Sequence, residues 1–239
     1  MTDTDIADRF PTGGWEFTPE VTAVFDEHVR ASVPLYDEIQ SQVAVLSDWL
    51  LPNNGCFVDL GASTCTTLVG VATRHPGRRI RAELYDEEPS MLDVAKKKID
   101  GLNVLPTFHA QRLQQPFKHR DADLTVSLFT LQFLSNRDRM QVLTEARRCS
   151  SSSGAIVLAE KIRPEHPLLA EIGIEASHDY KAAAGISDVA IRSKARALRG
   201  VLIPQTLPRI MTELSDSGWR NADVVFRWHQ WILLVGFAR

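Results

Sequence analysis

Cysteine is scarce in this chain: Cys56, Cys65 and Cys149 are scattered through 239 residues with no C-x-x-C spacing. That excludes both a disulfide framework and a structural zinc. No His, Cys or carboxylate set has the spacing of metal ligands, so no metal is expected. Charge of one sign is also lacking, with 27 Lys and Arg against 30 Asp and Glu and a net charge of −3. No global field then favours nucleic acid or an anionic membrane. No apolar run approaches the length of a bilayer span. Internal repeats, low-complexity tracts and a second-domain linker are absent as well. Met1 to Gly14 is polar, with Asp3, Asp5 and Asp8. It reads as a disordered tail, neither a signal peptide nor a membrane anchor. Together these absences point to a soluble cytoplasmic protein.

With 44% hydrophobic residues, the chain can bury a substantial core, and its length fits one domain over 15–239. Apolar spacing predicts helices at 21–32 and 35–50, the second closed by Pro52-Asn53-Asn54-Gly55. Strands are then predicted at 56–60, 80–85, 104–109, 124–129 and 155–159. Helices fit between them at 64–73, 90–99 and 137–149, and Ser150 to Gly154 reads as a loop. Short apolar strands alternating with helices imply a parallel sheet covered on both faces. The region 168–199 reads as largely helical, broken near Gly185, an insertion of about 167–200. A helix at 210–217 follows, and strands at 224–228 and 231–238 close the chain. The expectation is an α/β fold with seven strands, one of them antiparallel.

Phe57-Val58-Asp59-Leu60-Gly61-Ala62-Ser63-Thr64-Cys65 carries the most chemistry. A strand, a glycine turn and a helix in this order aim backbone N–H groups and a positive helix end at a ligand. Asp59, Gly61, Ala62 and Ser63 are therefore candidate cofactor contacts. Asp86 ends the next strand, roughly two dozen residues beyond Gly61, where an acid can hydrogen-bond a ribose diol. It can equally cap the next helix, since Pro89 and Ser90 follow. Leu128 to Leu134 ends the fourth strand, at the crevice of an open parallel sheet. Thr130 and Gln132 are candidate substrate contacts there.

Other groups are more ambiguous. His178-Asp179-Tyr180-Lys181 holds acid–base side chains, but neighbours on a helix point different ways. Arg192, Lys194, Arg196 and Arg199 form a basic cluster that also suits a solvated helix face. Cys65 at a helix N-terminus is expected to have a depressed thiol pKa, with His109 the nearest candidate base.

Taken together, the residues resemble the carboxy-S-adenosylmethionine synthases, a branch of the class I methyltransferase (Rossmann-like) fold. The landmarks are Trp15–Phe17, Arg30–Pro34, Tyr36, Val58–Ser63, Pro89–Met91, Phe129–Leu134, Ala155–Lys161 and His178–Lys181. The resemblance implies transfer of a carboxylate from prephenate to the sulfonium of S-adenosylmethionine, in support of tRNA modification without RNA contact. It also implies a homodimer in which each pocket is partly supplied by the neighbour. Tyr36, Gly61, Ser63 and Asp86 match cofactor-contacting positions. Four positions depart from the family pattern. Cys65 replaces a glycine, Gln111 an aspartate facing adenine, Leu128 an asparagine, and Ala195 an arginine that pairs with the new carboxylate. Lys194 and Arg196 flank that last position.

Two readings follow. One is a S-adenosylmethionine-dependent enzyme acting on a small polar metabolite. In it Tyr36, His178 and Asp179 are catalytic candidates, Gln111 faces adenine, and Tyr36, Thr130, Gln132, Lys194 and Arg196 contact substrate. The other is a repurposed fold without the cofactor, serving as a tailoring enzyme or as a subunit of a hetero-complex.

Overall fold

Strand alternation sorts the core onto two sheet faces. In β1 (Cys56–Leu60), Phe57 joins one apolar cluster while Cys56, Val58 and Leu60 join another. In β5 (Ser150–Lys161), Ala155, Val157 and Ala159 face the first cluster and Ile156 and Leu158 the second. This period of two requires both faces to be covered.

The computed structural model describes residues 19–239. The expected tail over 1–14 and the Trp15–Phe17 landmark lie outside the described residues. The remaining strands are β2 (Ile80–Asp86), β3 (Val104–Ala110), β4 (Ala122–Leu128), β6 (Arg220–Trp228) and β7 (Trp231–Phe237). They form one sheet of order β3-β2-β1-β4-β5-β7-β6. All pairs are parallel except those of β7, antiparallel to both β5 and β6. The helices are α1 (Pro19–Ser32), α2 (Tyr36–Leu50), α3 (Thr66–Arg74), α4 (Pro89–Lys98), α5 (Asn136–Cys149), α6 (Pro167–Ala183), α7 (Asp188–Ala197) and α8 (Leu207–Asp216). The α2, α3 and α4 side chains fill the first cluster, those of α5 and α8 the second. The expected helical insertion is α6 and α7, which meet across Gly185 at φ +86°.

Among the boundaries that differ from expectation, three have a visible local cause. β5 begins at Ser150, so Ser150 to Gly154 is strand rather than loop. Ser150 pairs with Ala122 across a register shift. A Cβ on Gly154 would fall 2.1 Å from Ser150 Oγ and 2.6 Å from the Ala122 oxygen. β4 ends at Leu128, because Phe129 turns to φ +59°. Helix α3 starts two residues late, with Cys65 as its N-cap at φ +61°.

One buried ionic network braces this frame. Arg139 of α5 donates to both Glu160 oxygens (2.9 and 3.0 Å) and to Glu213 of α8 (3.1 Å). Glu160 faces this network, so its neighbour Lys161 points to the opposite sheet face.

Candidate functional site

A cavity of about 430 Å³ opens at the C-terminal ends of β1, β2, β4 and β5, and α1, α2, α6 and α7 contribute to its wall. Among the described residues its carboxylates, Asp59, Asp86, Glu87 and Glu88, all come from β1, β2 or the residues just after β2. Lys161, Lys181 and Lys194 line it from β5, α6 and α7. Leu128 and Phe129, at the end of β4, stand between them with Tyr36 against Phe129, and Trp231 of β7 flanks Lys161. From β2 to β5 is three strand spacings, roughly 14 Å at about 4.8 Å each. The cavity is therefore acidic at one end and basic at the other.

The acidic end is built by the glycine turn. Gly61 has φ +96°, and a Cβ there would sit 2.1 Å from Thr130 Oγ1, so backbone conformation and space both require glycine. The turn's N–H groups do not point outward, contrary to the sequence expectation. Gly61 and Ala62 donate theirs to the Tyr85 carbonyl (2.9 and 2.8 Å), and Ser63 donates to Asp86 Oδ2 (2.8 Å). Asp86 Oδ1 accepts from the Glu88 N–H (2.9 Å). The N-cap of α4 is Glu88 itself, so Asp86 is a clasp between two turns rather than the cap. Burial pushes Asp86 upward in pKa, opposed by these two N–H groups. Asp59 is 2% exposed, and burial, with Asp86 nearby, raises its pKa to about 8. What the turn offers the cavity is thus a pair of desolvated carboxylates.

Cys65 does not behave as a reactive thiol. It is fully buried in the core cluster beneath the turn, and burial raises its pKa, contrary to the expected depression. His109 bonds Glu83 (2.7 Å) and stacks on Tyr85, and is not a cavity residue. The side chain at position 65 therefore leaves the cavity open.

Tyr36 is buried against Phe129, and its burial pushes the phenol to about 12, so it stands as a neutral hydroxyl. Gln111 lines the cavity. Thr130 and Gln132 line it too, but their polar atoms are engaged with backbone. Thr130 Oγ1 donates to the Leu128 carbonyl (3.3 Å). Gln132 donates to the Phe129 carbonyl (3.2 Å) and accepts from the Lys161 N–H (2.9 Å), tying the β4 and β5 ends together. His178, Asp179 and Arg196 are not brought to the cavity. On α6, Ser177 and Lys181 share the inward face, which turns Asp179 outward and leaves His178 at the flank. Arg196 is exposed on α7, as is Ala195, while Lys194 turns inward.

Sequence reasoning missed most of the basic end. Lys161 appeared only as a landmark and Lys181 only as a neighbour of His178. Lys161 Nζ lies 5.6 Å from the Trp231 ring centroid. Lys194 Nζ donates to Ser32 Oγ (2.9 Å) and contacts His28 Nε2 on α1. A lysine ending a central parallel strand was the available signal, since such strand ends face the crevice. The α1 contributors His28 and Ser32 had no local signal.

Comparison with known proteins agrees with this architecture. A family described as "Methyltransferase domain" matches residues 57–154. A carboxy-S-adenosyl-L-methionine synthase of Sulfurimonas denitrificans is 31% identical over 215 residues, 90% of each chain. One from Campylobacter jejuni subsp. jejuni is 30% identical over 233 residues, 98% of each. Among solved structures, a putative O-methyltransferase of Nostoc punctiforme superposes with TM-score 0.63 at 15% identity, over 92% of this chain and 59% of the other. PigF with SAH gives the same values. Among the described residues no helix is long and apolar enough to cross a membrane. At 30–31% identity over 90% or more of both chains, the chain belongs to the carboxy-S-adenosyl-L-methionine synthase family of class I S-adenosylmethionine-dependent methyltransferases.

Proposed function

We propose that this chain is an S-adenosylmethionine-dependent transferase of small-molecule metabolism, with the cofactor at the acidic end of the cavity and a small polar metabolite beside it. The observation that carries this reading is the pair of desolvated carboxylates, Asp59 and Asp86, around the Gly61–Ser63 turn. They suit a cationic ligand with donor hydroxyls. A nearby positive charge favours the ionised carboxylate, and Asp86 keeps lone pairs for a diol. Gln111 offers an amide to an aromatic base. The buried thiol of Cys65 removes one support for a scaffold that has lost its cofactor.

When bound, the cofactor supplies a sulfonium-activated carbon. The chain's own contribution is positioning. Asp86 fixes the ribose, Gly61, Ala62 and Ser63 allow close approach, and Tyr36 presents a neutral hydroxyl donor. Orientation of this kind accounts for a large share of the barrier reduction in bimolecular transfers. The relatives' name suggests a carboxylated product. Calorimetric titration with S-adenosylmethionine tests the reading: one-site binding is expected, and no heat at millimolar ligand overturns it. Mass spectrometry of the ligand carried through purification then tells a methyl from a carboxymethyl sulfonium.

A further inference from the structure

Helix α1 walls the cavity with Phe25, His28, Val29 and Ser32, but it is not anchored as the other covering helices are. Among its described side chains, none belongs to either large apolar cluster. Val29 packs instead on a small third cluster, with Val33, Tyr36 and Trp231. An element joined to the frame by few apolar contacts opens locally at lower cost than the core does.

Polar contacts hold α1 in place, and one set of them lies over the cofactor end. Lys98, the last residue of α4, has three ammonium protons and three partners: the Asp26 carboxylate of α1, Thr64 Oγ1 (2.9 Å) and Thr66 Oγ1 (3.3 Å). Thr64 Oγ1 in turn donates to Asp26 Oδ1 (2.6 Å). Burial raises the pKa of Asp26, but Lys98 and Thr64 outweigh it and hold the carboxyl below its ordinary value, so it is an anion at neutral pH. Thr64 directly follows Ser63, whose N–H is bound by Asp86, and both threonines line the cavity. Asp26 therefore fastens α1 to the turn assigned above to the cofactor. One helical turn earlier, Thr22 Oγ1 lies 3.0 Å from Ser90 Oγ of α4.

The opposite end of α1 has the features of a pivot. Only Val33, Pro34 and Leu35 separate it from α2, and Leu35 has φ +55°, in the left-handed region that disfavours a residue with a Cβ. The Leu35 N–H donates to Tyr180 Oη of α6 (3.4 Å), and Lys194 of α7 meets α1 at Ser32. The pivot end is thus tied to α6 and α7, and the Asp26 end to α4 and the glycine turn.

We infer that α1 is a gate over the cofactor end of the cavity, pivoting at Val33–Leu35, and that Asp26 is the positioning residue that latches it on Lys98 and Thr64. Open, the gate admits and releases ligand; closed, it sequesters the reacting groups. The inference deepens the proposed function and rests on it for the identity of the ligand, whereas the opening of α1 is measured without one.

The test has a ligand arm and a ligand-free arm, both on the whole protein. In the first, binding and release of S-adenosylhomocysteine are followed by stopped-flow fluorescence, with Trp231 in the cavity wall as reporter. A latch made in both the free and the bound protein sets how often the gate opens, not its preference for ligand. Asp26→Asn should therefore raise the association and release rates about tenfold each, the scale of one charge-assisted hydrogen bond, and leave affinity within about twofold. A residue that only shaped the site would raise release alone and weaken affinity. Thr22→Cys combined with Ser90→Cys gives the opposite case. Oxidation should tether α1 to α4 and slow both rates about tenfold or more, and reduction should restore them. The native cysteines are buried and do not compete.

In the ligand-free arm, amide hydrogen exchange should be faster across residues 24–32 than in α2, because an undocked helix of 14 residues is marginal on its own. It should be faster still in Asp26→Asn and slower in the oxidised cysteine pair, with circular dichroism checking the fold of both. A wild-type association rate in folded Asp26→Asn, unaltered rates in the oxidised pair, or equal exchange in α1 and α2 overturns the inference. If the wild type binds no S-adenosylhomocysteine, the transferase reading falls instead, and hydrogen exchange alone decides the gate.

Discussion

The acidic and basic ends of the cavity lie about three strands apart, yet they are made in opposite ways. The acidic end is local. Asp59, Gly61 and Ser63 are nearly consecutive, and Asp86 reaches them from the adjacent strand with a 2.8 Å bond to the Ser63 N–H. The basic end is assembled from distant pieces. Lys194 of α7 meets Ser32 and His28 of α1, and Lys161 ends β5. A cofactor common to a superfamily can be held by a local motif, whereas a substrate pocket is free to be rebuilt from helices outside the sheet. The two ends should therefore respond independently to substitution.

The largest expected effect removes the frame behind the basic end. Arg139→Met leaves Glu160 buried without its cation and Glu213 with Arg209 alone, and it should cost about 3–5 kcal/mol in urea denaturation. A cost under about 1 kcal/mol would show that this network does not brace β5. Next comes the clasp of the acidic end. Asp86→Asn should weaken S-adenosylmethionine by about 10- to 100-fold, the equivalent of a charge-assisted hydrogen bond of about 1.5–3 kcal/mol. Lys194→Met should leave S-adenosylmethionine affinity unchanged, and a parallel loss would break the proposed independence.

Acidity gives the third comparison, because the ends carry shifts of opposite consequence. Asp59 is raised from 3.8 to about 8, so between these values the folded chain binds more protons than the unfolded one, and stability falls as pH rises. Lys194 is lowered from 10.5 to about 7, so between about 7 and 10 the unfolded chain binds more protons, and stability rises with pH. Lys161 and Lys181 act in the same direction as Lys194. Thermal melts without ligand should show Lys194→Met stabilised relative to wild type below pH 7, with the advantage vanishing towards pH 10. Asp59→Asn should be stabilised above pH 8 and not below pH 4. Parallel displacement of either variant across the whole range would contradict these assignments.

The smallest effect is expected at Cys65. Its positive φ costs about 1 kcal/mol or more for a residue with a Cβ, while its buried thiol contributes packing of similar size. Cys65→Gly should therefore shift stability by no more than about 1 kcal/mol and leave cofactor affinity unaltered. Tighter binding in that variant would mean the side chain does crowd the cavity.

Legibility in the sequence followed the same division. The sheet was readable because each strand is a short apolar run and each covering helix has regular apolar spacing, as Leu68, Val71 and Ala72 show on α3. The closing hairpin was readable from the alternation at Val224 to Trp228 and the apolar run at 231–238, the latter forming the antiparallel strand β7. The start of β5 was not, since serines and Gly154 read as a loop until Ala122 pairs with Ser150. At the site, Asp59 to Ser63 and Asp86 carried their own local pattern. His178 and Asp179 drew attention as acid–base types, but helix phase decides which side chain faces inward, and it selects Lys181. The inward turn of Lys194 and outward turn of Arg196 depend on where α7 docks, which no local pattern encodes.

The most direct test of the two-ended cavity is a crossed titration. Wild type, Asp86→Asn and Lys194→Met are each titrated with S-adenosylhomocysteine and melted across the neutral to alkaline range. A crossed pattern is predicted, with Asp86→Asn weakening the nucleoside and Lys194→Met changing only the pH dependence of stability. If Lys194→Met weakens the nucleoside as Asp86→Asn does, or neither substitution changes its readout, the cavity does not have two independent, oppositely charged ends.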